Sequence, residues 1–420
     1  MKTFLSTIAV LSLSVATPAI SQETITYSGW LGTFDKNADL VERLKEQFTT
    51  ETDAELRIID TQFSEALNQA TVTTLAGNPA DAIHLIAGWV PAVVEIGGLE
   101  PLNDYFTEEQ LNTIPQASRD SVTVDGQLYA LPWVPGPIQP HFNRNLMLEA
   151  GLDPENPPQT WPEFQDAIMK ICALPDRDGA KVYGIALRTN QSGNSAQWAI
   201  PIIYGHGGDI QQDGVIDINT PEIAAAFQWM QDIAEAGCTP TGHGFSESRN
   251  TFAQGNAGFI FEGPWGRGLV DNISGGELTV APDGDVWVME MPTAPDGTRR
   301  TIGNPHEIAI SALSENKELT ARFLELLIFD EESTAMYYDI NGQLPTGSLP
   351  LLQTGAVGED AYSQIFVNSL SYTHDNPWQD AKFNAVMSQI APEMQAVVAG
   401  GDISEALEAA QVSIDRVLSR

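Results

Sequence analysis

Positive charge is what this chain lacks most. In 420 residues, 20 lysines and arginines stand against 56 aspartates and glutamates, a net charge of −36 at neutral pH. Such a surface repels phosphate backbones and anionic lipid, which excludes nucleic-acid binding. It also disfavours any bulk attraction for anionic ligands, although one buried arginine could create a local one. Cysteine is nearly absent, with only Cys172 and Cys238. The six histidines are scattered without the spacing of a metal site. No phosphate loop, nucleophile elbow or dinucleotide fingerprint occurs, so no cofactor and no metal are expected. Beyond the N-terminus no apolar run is long enough to cross a bilayer, so the product is not expected to be membrane-embedded. No internal repeat, coiled coil or low-complexity segment is present.

What the chain does have begins with an export leader. Lys2 supplies a positive start, Phe4 to Ala16 is apolar apart from small hydroxyl residues, and Ala19-Ile20-Ser21 offers small side chains for cleavage. Residues 1–21 are therefore expected to be removed, cleavage falling after Ser21 or, as an alternative, after Ala19. No cysteine lies there to take a lipid. The mature product is expected to be soluble and periplasmic. It is long enough for two domains with separate cores.

From Thr24 onwards, strands alternate with helices. Thr24 to Trp30, Ala54 to Asp60 and Asp81 to Ala87 have strand patterns, and the helices between them carry apolar stripes such as Leu40, Leu44 and Phe48. This spacing implies βαβ units, an α/β class and parallel-rich sheets flanked by helices. In open sheets of that kind ligands bind beyond the carboxyl ends of the strands. The residues in those places are Trp30, Asp60 with Gln62, and Gly88 with Trp89. The buried strand Phe259-Ile260-Phe261 likewise runs out through Glu262, Gly263 and Pro264 into Trp265, Gly266 and Arg267. Gly303-Asn304-Pro305-His306 precedes the strand pattern Glu307 to Ser311.

The passage Tyr129 to Phe164 reads YALPWVPGPIQPHFNRNLMLEAGLDPENPPQTWPEF. Thr160, Pro162 and Glu163 mark a helix start by cap, first-turn proline and carboxylate near the positive helix end. This order resembles the signature region of the extracellular solute-binding proteins of family 1, the maltose-binding-protein-like capture subunits of ABC sugar importers. Phe142 stands where that family has Tyr, and Asn145 where it has Asp. Asp125 to Pro132, Phe252 to Gly266, Ile308 to Leu326, Gly342 to Thr346 and Val397 to Leu418 resemble further family motifs in the same order. The resemblance implies a two-lobe type II binding-protein fold, with hinge crossings between the lobes. The N-terminal lobe would hold residues 22–138 plus 300–346, and the C-terminal lobe 139–299 plus 347–420. It also implies a non-catalytic monomer that closes around a carbohydrate and delivers it to the transmembrane subunits of an ABC permease.

A sugar cleft needs aromatic plates for C–H faces and planar polar groups for hydroxyls. Trp265, Trp30 and Trp89 are the candidate plates, each with a core role as its alternative; Trp198 and Tyr204 are weaker ones. Gly263 and Gly266 would let backbone approach the ligand, and Gly88 is a further ligand-binding candidate at a strand end. Asp60, Gln62, Asn304 and His306 are the hydroxyl partners expected, and His141 is expected to be structural. Arg267 would fork hydroxyls or grip an anion, or else form a surface ion pair. Asp176-Arg177-Asp178-Gly179 is expected to be an ordinary turn and not a calcium loop. Two other readings stay open: the same role for an anionic ligand such as glycerol phosphate or a sulfonated sugar, and a secreted glycoside hydrolase using paired carboxylates. Cys172 and Cys238 each follow a helix pattern, and spacing alone leaves a bridge between them undecided.

Overall fold

The computed structural model describes residues 22–177, 179–212, 214–345, 355–374 and 381–419. The leader at 1–21 lies outside the described residues, as do Asp178 and Thr346.

Two sheets organise the chain. The first is built from β1 (Thr24–Gly29), β2 (Glu55–Asp60), β3 (Ala82–Ile86) and β4 (Leu131–Val134). The chain then leaves to make β5 (Gln139–Asn143), β6 (Tyr183–Ile185), β7 (Ala257–Glu262) and β8 (Val286–Val288) of the second sheet. It returns through β9 (Thr301–Ile302) and places β10 (His306–Ile310) between β3 and β4, giving the order β2-β1-β3-β10-β4. The second sheet runs β8-β5-β7-β6. Pairing is parallel where a helix carries the chain back along one face, as for β1 with β2 and β3. It is antiparallel where a strand arrives from the other sheet, as for β10 against β3 and β4.

Each sheet has its own core. Ile25, Tyr27, Ile83 and Leu85 pack with Leu44 and Phe48 of α1 (Ala38–Thr52) and with Phe323 of a later helix, Lys317–Ile328. Phe142, Phe259 and Phe261 pack with Phe164 of α2 (Trp161–Cys172), Phe227 of α3 (Pro221–Glu235) and Ile390 of α4 (Phe383–Val398). α2 starts where the sequence places its cap. The Glu163 amide donates to Thr160 Oγ1, and the Glu163 carboxylate accepts from the Thr160 amide at 3.1 Å.

Two crossings join the lobes side by side. The Ile138 amide donates to Ile302 O at 3.0 Å, Thr301 Oγ1 to Ile138 O at 2.7 Å, and the Asn304 amide to Gly136 O at 2.8 Å. The two sheets are therefore joined by a short antiparallel ribbon.

Cys172, at the end of α2, is bonded to Cys238, just past α3, with Cα atoms 5.2 Å apart and a separation of 66 positions in sequence. Replacing both by serine should cost about 3–4 kcal/mol through the loop released in the unfolded chain. Denaturant unfolding checks this, and an unchanged midpoint would show that the bridge adds nothing.

Candidate functional site

The carboxyl ends of β1 and β3, the end of β7 and the start of β10 meet where the two sheets face each other. β1 runs out into Trp30, whose ring lies flat on His84 of β3, with centroids 3.4 Å apart and 19° between planes. Trp30 also makes edge contacts with Phe63 at 5.3 Å, with Trp89 at 6.5 Å and with His306 at 5.1 Å. All of these belong to the first lobe. From the second lobe, Trp265 lies nearly parallel to His306, at 6.2 Å and 18°. Trp30, His84, Trp89 and His306 are buried, whereas Trp265 keeps part of its ring accessible.

Trp265 is held from beneath. Its Nε1 donates to Glu262 Oε2 at 2.7 Å, and the same carboxylate accepts from Arg249 Nε at 2.7 Å, from Arg249 Nη2 at 3.0 Å and from Arg188. The Glu262 and Arg188 side chains are 1% and 2% exposed, so this is a buried ion pair. Burial drives the Glu262 carboxyl upwards. The charges of Arg249 and Arg188 and the bonds from Arg249 and Trp265 outweigh it and hold the group well below the usual carboxylate range. The Arg188 guanidinium lies over Trp198 at 4.0 Å and Phe245 at 4.3 Å, which accounts for Trp198 as a packing residue.

The imidazoles at the junction are neutral at physiological pH. Burial pushes His306 down to about 3. Burial, followed by its neighbour His306, pushes His84 well below the ordinary value.

Of the residues expected from sequence, the structure gathers Trp30, Gly88, Trp89, Trp265, Asn304 and His306 at this junction. The carbonyl of Gly88 accepts from Asn384 Nδ2 of α4 across the gap at 3.3 Å, so the lobes touch there. Asn304 is buried in the crossing ribbon through its backbone. Asp60 and Gln62 are exposed at the rim and make none of the aromatic contacts. The space beside Gly266 is filled by His141, whose Nε2 lies 2.5 Å from where a Cβ would stand. That glycine makes room for a side chain, and His141 in turn bonds Tyr362 Oη at 2.7 Å. Arg267 is paired with Asp360 and stacked on Tyr362 at 4.3 Å, the ion-pair alternative of the sequence reading. Sequence reasoning missed His84, Glu262 and Phe63. His84 had a visible mark, a polar residue inside an otherwise apolar strand; Glu262 had none, because acids are everywhere in this chain.

Residues 43–350 match the family of bacterial extracellular solute-binding proteins. The chain belongs to that family. A Brucella abortus protein named only as a binding protein is 25% identical over 369 residues, 84% of this chain and 83% of the relative. The sn-glycerol-3-phosphate-binding periplasmic protein UgpB of Brucella abortus is 25% identical over 273 residues, 62% of this chain and 61% of the relative. Among solved structures, the ABC transporter solute-binding protein of Thermotoga lettingae bound with α-D-tagatose superposes with a TM-score of 0.82. That likeness, at 21% identity, covers 95% of this chain and 100% of the other and is one of fold. In this solute-binding protein, no described helix is long and apolar enough to cross a membrane.

Proposed function

We propose that this solute-binding protein is the non-catalytic capture subunit of a bacterial ABC importer, working in the periplasm after loss of residues 1–21. Its lobes are residues 22–138 with 300–346 and residues 139–299 with 347–420. They close on an uncharged carbohydrate and hand it to a membrane permease. One observation supports the reading: Trp265 from one lobe lies nearly parallel to His306 of the other, and His306 in turn meets Trp30 of its own lobe, which makes an aromatic junction suited to the faces and hydroxyls of a sugar. Arg188, Arg249 and Arg267 are each engaged by a carboxylate, so none is poised to grip an anion.

The likeness to UgpB, which binds glycerol 3-phosphate, supports a second reading with an anionic ligand. Thermal unfolding and calorimetric titration separate the two. A neutral sugar at about a hundred times its Kd should stabilise the protein by about 2.7 kcal/mol. Arg267→Gln should leave that binding within about threefold, whereas an anionic ligand that displaces Asp360 from Arg267 would be lost with this change. No stabilisation across neutral sugars, polyols and sugar phosphates would overturn both readings, and turnover of aryl glycosides would replace them with a hydrolase.

A further inference from the structure

β3 carries a histidine at its centre, in a strand buried at every position. In the register of β10 against β3, Ile308 faces His84 and His306 faces Ile86. His84 and His306 are therefore diagonal neighbours on one face of the sheet. Their ring centroids are 5.1 Å apart.

The state of His84 follows from its partners. Tyr27 Oη lies 2.6 Å from His84 Nδ1. A buried phenol needs an acceptor for its proton and Nδ1 is the ring atom its hydrogen bond reaches, which assigns the imidazole proton of His84 to Nε2. Gly29 makes this contact possible, since a Cβ there would stand 2.5 Å from Tyr27 Oη and 2.4 Å from His84 Cβ. His84 Nε2 is thus a buried donor with no protein partner, and His306 Nδ1 is a second buried ring nitrogen without one. The residues are 1% and 6% exposed. Leaving such groups unmatched costs roughly 1–3 kcal/mol each, and two of them side by side at a ligand junction call for a ligand. Trp133 lies 5.2 Å from His84 and 6.3 Å from His306, and Trp30 covers the other side. A hydrogen bond made there is shielded from water and strengthened.

We propose that His84 and His306 together hold one hydroxyl of the ligand, His84 donating from Nε2 and His306 meeting the same oxygen through Nδ1. A hydroxyl satisfies either tautomer of His306, because it accepts and donates. Two neutral rings supply no charge for a phosphate or carboxylate, so the pair selects an uncharged polyhydroxylated ligand. The inference rests on the carbohydrate reading above and makes His84 a second specificity residue beside His306.

The test uses the chain from Gln22 with 15N-labelled histidine, read by long-range proton–nitrogen NMR. D-tagatose, maltotriose and sn-glycerol 3-phosphate are the probes, and thermal unfolding is run on the same samples. His84 should be protonated on Nε2 throughout. A neutral sugar that raises the melting temperature should move the His84 and His306 resonances together, and the phosphate should move neither. His84→Phe, which keeps a ring against Trp30, should weaken sugar binding about tenfold. Should that variant not fold, the NMR of the unsubstituted protein decides. Protonation of His84 on Nδ1 overturns the proposal, as does a stabilising sugar that leaves both resonances still, or a phosphate that shifts them. If no probe raises the melting temperature, the carbohydrate reading falls first and this inference with it.

Discussion

Replacing Glu262 by alanine should cost the fold about 3–5 kcal/mol, because it strands Arg188 as an uncompensated charge in the interior. The Glu262 side chain is 1% exposed and touches both Arg188 and Arg249, so no water takes over its role cheaply. The same change frees Trp265, whose Nε1 donates to that carboxylate, and the plate facing His306 loses its fixed tilt. Ligand affinity should fall along with stability. Denaturant unfolding measures the first and calorimetric titration the second. The double change Arg188→Met with Glu262→Leu should recover part of the lost stability while affinity stays low, since only the carboxylate orients the indole. A Glu262→Ala variant that unfolds within about 1 kcal/mol of the parent would refute the account of the buried pair.

Acid should destabilise this protein steeply in a window where most acidic proteins are still at ease. His84, His141 and His306 are all held neutral by burial, His141 down to about 4 and His306 to about 3. In the unfolded chain each takes up a proton near pH 6.5. Below that pH the unfolded state therefore binds more protons than the folded state, and stability falls as pH drops. Above it the three contribute no pH dependence. Each proton withheld is worth about 1.4 kcal/mol per pH unit, so the slope should approach about 4 kcal/mol per unit between pH 6 and 5. Urea unfolding at stepped pH reads this directly, and His306→Phe should lower the slope by about 1.4 kcal/mol per unit. A flat profile from pH 7 to 5 would mean that these rings titrate in the folded state.

The element pattern was open to reading because it is local. Apolar periodicity marked the strands, and Thr160 with Glu163 marked a helix start that the structure reproduces bond for bond. The strand-end rule pointed to Trp30, Trp89 and Trp265, which the structure sets where the two sheets face each other, since a strand delivers its last residue to the rim of the sheet. The same rule failed to separate them from Asp60 and Gln62, which lie exposed beside the junction. Nor could it tell that Arg267 would find Asp360, a partner 93 positions away.

By itself, then, the sequence determined the α/β class, the alternation of strand and helix, and the aromatic character of the strand ends. Each of these depends on residues close together along the chain. The tertiary structure alone decided that Cys172 meets Cys238, that Arg188 meets Glu262, and that His84 stands beside His306. Those pairings join segments that neither periodicity nor capping can bring into register. The last of them exists because the chain leaves one sheet, builds a second and returns to complete the first.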